Sequence, residues 1–192
     1  VDGWFTLPLT VPNYLAGFVG KPVLPLDAPE VSAAIERVQK RTDALLNCGG
    51  THRPEWFHRK LGDILYEGCG VARDEAGLLD ALTKVRELRE EFWRDVKVVG
   101  TGNRLNQELE KAGRVADFIE LGEVMILDAL DRRESAGAHF RNEYATEAGE
   151  AKRNDGDWCA VSAWETRPDG TKVRHSEPLS FSLIDLQVRD YR

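Results

Sequence analysis

From Leu105 to Leu130 the apolar residues recur as Leu109, Ala112, Ala116, Ile119 and Ile126, steps of three or four that lay one stripe along an α-helix. Only Glu123 interrupts the stripe. The pattern predicts a helix over residues 103–133, a rod of roughly 45 Å, along which other elements must pack. Its charged residues, among them Arg104, Glu120, Asp128 and Asp131, mostly fall elsewhere on the wheel. One side is therefore expected to be wet and the other buried. Gly113 and Gly122 each cost on the order of 1 kcal/mol of helix propensity relative to alanine, and close approach of a neighbouring element would account for both.

Shorter helices are predicted upstream. Asp27 and Glu30 fit a capping box ahead of a face made by Val31, Ile35, Val38 and Leu45, which Gly49-Gly50 stops. Pro54 opens the next helix, with Phe57, Leu61, Ile64 and Leu65 on one side. A third runs from about Asp74 to Val96 with the stripe Leu78, Leu82, Val85, Leu88, Phe92 and Val96. Past Arg141 the composition turns polar. Trp158–Thr166 and Lys172–Phe181 then read as two strands around the turn Pro168-Asp169-Gly170. The fold class is mostly α: an antiparallel bundle of three to four helices with a C-terminal β-hairpin-like arm. The organisation is residues 1–26 as an apolar opening segment, 27–141 as the bundle, and 142–192 as an irregular arm with hairpin and tail.

The net charge of -7, from 26 basic and 33 acidic residues, and the lack of a basic stripe argue against a nucleic-acid binder. Cys48, Cys69 and Cys159 form no C-x-x-C pair, so reduced thiols in a cytosolic compartment are expected. The opening run from Val1 to Gly20 is apolar, but Asp2, Pro8, Pro12 and Asn13 break it and no basic stretch precedes it. It reads as neither a signal peptide nor a membrane span. It is expected to pack against something absent from this chain, as in a piece of a longer polypeptide, leaving Trp4, Phe5, Tyr14 and Phe18 exposed and self-association through them open.

Candidate chemistry is sparse. Cys48, His52 and His58 lack the paired spacing of a zinc motif, and Gly100-Thr-Gly102 has too few glycines for a phosphate loop. No serine sits in a G-x-S-x-G elbow. The cluster Glu134, His139 and Arg141, followed by Arg153 and Asp155, has two readings. It is a proton-transfer or carboxylate-binding site, or an internal ion-pair network pinning the tail to the bundle. Buried polar turns have to satisfy themselves with such groups, which favours the second.

Leu130-Asp-Arg-Arg-Glu-Ser-Ala-Gly-Ala-His-Phe-Arg141 resembles the E-S-x-G-A-H-x-R segment of the flavoprotein subunits of succinate dehydrogenases and fumarate reductases. Arg153-Asn-Asp155-Gly-Asp-Trp158 is similar to that family's R-D-D-x-x-W, and Arg189-Asp-Tyr191 to its closing R-x-Y. The stretches Gly50–Gly62 and Glu91–Val96 look like its non-classical branch. Ala136 and Asn154 stand where the common form has arginine and aspartate, which puts any salt bridge made there in doubt.

The resemblance implies the C-terminal helical domain of a subunit that binds FAD and interconverts succinate and fumarate. Residues 1–26 would continue from a flavin-binding domain lying upstream. It implies an iron-sulfur subunit and a membrane quinone anchor as partners, and a cytoplasmic place, peripheral on the inner membrane. No catalytic, cofactor-binding or metal-binding position of the family maps onto this chain, which is expected to hold no FAD and to be inactive alone. Competing readings are the same domain of an L-aspartate-oxidase-like flavoprotein, a stand-alone helical interaction module, and a small enzyme using His139 and Arg141.

Overall fold

The computed structural model describes residues 2–184, 186 and 187. The chain divides into two units, one up to Arg41 and one from Thr42 onward. In the first, α1 (Asp2–Phe5) is followed by α2 (Leu7–Ala16) and by most of α3 (Pro29–Asn47). Pro8 occupies the first turn of α2, where a missing N–H costs nothing. Pro12 lies inside the helix all the same. Two prolines and an asparagine thus do not prevent a helix in a run that the sequence offered only as a broken apolar segment. Residues 3–27 are all exposed, with Trp4 at 80%, Tyr14 at 73% and Phe18 at 55%.

The second unit is built on α4 (Pro54–Gly68), α5 (Glu75–Asp95) and α6 (Gln107–Asp131), which pack against one another. Asp74 caps α5 by accepting from the Gly77 amide, and the predicted stripe Leu78, Leu82, Val85, Leu88, Phe92 and Val96 is buried throughout. Phe57 of α4 meets Phe92 edge-on, with ring centroids 5.2 Å apart. Leu45, from the last turn of α3, joins this core. The bundle proper therefore has three helices, the lower end of the expected range.

Helix α6 begins later than its pattern suggested. The Asn106 side chain accepts from the amides of Glu108 and Leu109 while its amide group donates to the carbonyls of Val99 and Thr101. That cap fixes the start and leaves Leu105, the first residue of the stripe, exposed outside the helix. The rod has 25 residues, about 37 Å. Gly122 explains itself: a Cβ there would press on Leu61 Cδ1 at 3.3 Å. A Cβ at Gly113 would meet nothing within 4 Å, so close approach does not account for it. Gly50 has a further duty beyond ending α3. Its Cα lies so close to the end of α5 that an added Cβ would fall 1.9 Å from the Asp95 carbonyl oxygen.

Two small sheets complete the unit. Strand β1 (Ala72–Arg73) pairs in parallel with β2 (Phe140–Arg141), a contact that no periodicity foretold. Strands β3 (Ala160–Thr166) and β4 (Lys172–Pro178) form the predicted hairpin, with Gly170 at φ +85° in its turn. The hairpin lies on the charged face of α6: Trp164 Nε1 donates to Asp128 (2.8 Å), Lys172 pairs with Glu120 (3.0 Å) and Arg174 with Asp131 (2.7 Å). The face expected to be wet is thus the seat of the arm. No described helix is long and apolar enough to cross a membrane.

Candidate functional site

The polar segment after α6 folds into a dry junction. Glu134, Ser135 and Arg141 are all 2% exposed or less. Arg132 brings Nε (2.9 Å) and Nη2 (2.7 Å) to Oε1 of Glu134, whose Oε2 accepts from the Asn154 amide at 2.8 Å. The Ser135 hydroxyl accepts from the Arg141 amide (2.8 Å) and donates to the Arg141 carbonyl (3.1 Å). The Arg141 guanidinium reaches back to the end of α6, where Nη1 donates to the carbonyls of Ala129 (2.7 Å) and Leu130 (3.3 Å), and its Nε donates to Glu143. A helix C-terminus leaves carbonyls without intrahelical partners, and a cation there answers both the hydrogen-bonding and the dipole requirement.

His139 sits in the same junction, half-buried. Arg73 Nη1 can only donate, so Nδ1 of His139 accepts (2.9 Å) and Nε2–H donates to the Arg132 carbonyl (3.1 Å). Burial pushes this imidazole below its ordinary pKa, and the guanidiniums of Arg73, Arg132 and Arg141 add to that, against the opposing pull of the Arg132 carbonyl. Gly137 turns the chain with φ +59° between the Ala136 and His139 backbones, which bond to each other. Ala136 contributes by that backbone pairing, while Asn154 donates its side-chain amide to Asp157 (2.9 Å). Arg153 grips Asp155 through Nε (2.9 Å) and Nη2 (2.6 Å). Trp158 lies under the guanidiniums of Arg132 and Arg174 at 5.8 and 5.1 Å. The sequence-predicted residues Glu134, His139 and Arg141 come together in one junction, where each hydrogen-bonds to protein groups.

A second buried charge lies within the bundle. Glu123, 3% exposed, accepts from Arg86 Nε at 2.7 Å and from Arg89 Nη1. Burial raises its carboxyl pKa, but the two guanidiniums outweigh it and the net displacement is downward. The sequence flagged Glu123 as the break in an apolar stripe; it did not name the arginines of α5 that answer it.

The remaining candidates scatter. Cys48 Sγ donates to the Trp93 carbonyl, and His58 lies on the surface beside the Phe118 ring. His52 donates Nδ1–H to Asp95 (2.6 Å) and stacks on Trp56. The hydrogen bonds of His52, then of Thr51, pull the Asp95 carboxyl down to about 2. Among the described residues no group of three or more His, Cys, Asp or Glu could hold a metal ion. The Gly100–Gly102 loop is held by Asn106, which donates to the carbonyls of Val99 and Thr101. Arg189-Asp-Tyr191 lies outside the described residues. Between α4 and α6 an apolar furrow runs through two cavities of about 340 and 260 Å³ that share His58 and Phe118.

The family model described as fumarate reductase flavoprotein C-term matches residues 58–191. The succinate dehydrogenase flavoprotein subunit of Bacillus subtilis is 26% identical over 160 residues, covering 83% of this chain and 26% of that protein. The fumarate reductase flavoprotein subunit of Helicobacter pylori is 28% identical over 188 residues, 96% of this chain and 25% of its own length. A solved E. coli quinol fumarate reductase chain superposes with a TM-score of 0.69 at 24% identity, over 81% of this chain and 26% of that one, a likeness of fold. The chain spans about a quarter of the length of these relatives.

Proposed function

Because the chain belongs to the fumarate reductase flavoprotein C-terminal family, we propose that it is the helical brace of a subunit that interconverts succinate and fumarate through FAD. The flavin and the substrate chemistry reside in the rest of such a subunit, and this domain supplies support and subunit contacts. Residues 1–26 continue from the flavin-binding domain, 27–141 form the brace, and 142–192 are its C-terminal arm. An iron-sulfur subunit and, through it, a membrane quinone anchor are the further partners. The assembly sits peripherally on the cytoplasmic face of the inner membrane.

One observation carries this reading. Residues 3–27 are exposed although they include Trp4, Phe5, Leu7, Leu9, Tyr14 and Phe18. A largely apolar helix left uncovered belongs against a larger body, and the ten residues of α2, about 15 Å, are half of what a bilayer needs. The interior of the flavin-binding domain is the body that fits.

The test is reconstitution. The isolated chain with added FAD is expected to give no succinate-dependent dye reduction. Co-expressed with the rest of the parent subunit, it is expected to co-purify with that part and restore the reaction, and Tyr14→Glu with Phe18→Glu to abolish both. Dye reduction by the chain alone, or indifference of the complex to those substitutions, would overturn the proposal.

A further inference from the structure

Three elements meet at His139: the segment carrying β1, the end of α6, and the turn leading into β2. Arg73 is not free to swing, since its Nε donates to the Gly70 carbonyl at 2.7 Å while Nη1 donates to His139 Nδ1 at 2.9 Å. On the other side of the ring, Nε2–H donates to the Arg132 carbonyl at 3.1 Å. Both nitrogens are engaged, and only the neutral ring carrying its proton on Nε2 satisfies both bonds.

We propose that His139 is an acid-sensitive latch, whose protonation releases Arg73 and with it the pairing of β1 with β2. A proton on Nδ1 turns an acceptor into a donor facing a guanidinium donor. It also adds a positive charge among Arg73, Arg132 and Arg141. The carboxylates of the junction are engaged elsewhere. Glu134 holds Arg132 and the Asn154 amide, and Glu143 holds Arg141 and the Glu75 amide at the start of α5. The strand pair itself is short, with the registers Ala72 to Phe140 and Arg73 to Arg141, so Arg73 belongs both to the pairing and to the latch. This inference concerns the chain's own residues and does not depend on the activity of any parent subunit.

The sign follows from where the proton binds more easily. Burial and the guanidiniums hold native His139 below its ordinary value, so the opened form takes up the proton first. The latch is fully closed above about pH 6.5 and loosens as the pH falls from there toward the native value, where the effect levels off.

Nitrogen-15 spectra of the full chain's histidine rings, with amide hydrogen exchange from pH 8 to 5, provide the test. His139 is expected in its Nε2–H form at pH 8. Opening constants at the amides that join β1 to β2, with those of Ala136 and His139 in the adjoining turn, corrected for intrinsic exchange, should rise by up to tenfold per pH unit below about pH 6.5. Amides in the middle of α5 and α6 should not follow. His139→Gln should remove the slope, and Arg73→Met should shrink it. An Nδ1–H ring, a flat wild-type profile, or an unchanged slope in His139→Gln would overturn the proposal. Should His139→Gln fail to fold, the wild-type ring form and slope decide alone.

Discussion

Phe92 and Arg141 are 0% and 2% exposed, one inside the three-helix bundle and the other in the junction at its end. Around Phe92 the neighbours are apolar, and the drive is removal of hydrocarbon from water. Around Arg141 the contacts are hydrogen bonds, an ion pair with Glu143 and the face of the Tyr144 ring, made against a desolvation cost. Equal dryness thus hides two kinds of order. The core around Phe92 tolerates apolar side chains of the right shape, whereas the junction requires a particular set of donors and acceptors.

The sharpest way to break this contrast is to remove one residue from each side. Phe92→Ala is expected to cost about 4 kcal/mol of global stability, read as a lower urea midpoint with little dependence on salt. Arg141→Met should cost about 3 kcal/mol, because it strands the carbonyls of Ala129 and Leu130 at the end of α6. That loss should appear first in amide exchange at Ser135 and Arg141, with the middle of α5 still protected. If both variants unfold the whole unit alike, junction and bundle are one cooperative body and the distinction fails. The smallest effect sharpens it from the other direction. Gly113→Ala is expected to stabilise by about 0.5–1 kcal/mol in thermal melts, since its Cβ meets nothing within 4 Å. Gly122→Ala, pressed against Leu61, should gain nothing.

The two regions were also unequally legible. Helix α5 and the hairpin could be read because each has a clear local signal: the Leu78 to Val96 stripe after Asp74, and two short runs on either side of the turn Pro168-Asp169-Gly170. The cluster of Glu134, His139 and Arg141 could be listed as residues close in sequence. Its partners Arg73, Asn154 and the α6 carbonyls could not, because they arrive from elsewhere in the chain. The start of α6 was misjudged for a local reason, since Asn106 in the middle of a polar stretch ends an apolar repeat that Leu105 continues by coincidence. The hairpin's seat on Glu120, Asp128 and Asp131 was hidden for a different one. Charged residues on a helix read alike whether they face water or a basic strand.

The pairing of β1 with β2 closes a loop that contains the whole of α5 and α6. Two strands of two residues each add little attraction, but they can meet only if the intervening helices have come together in one register. A slip of a single helical turn displaces one end by about 5 Å, more than the spacing of neighbouring strands. The pair therefore serves as a gauge of alignment, closing only on the correctly assembled molecule.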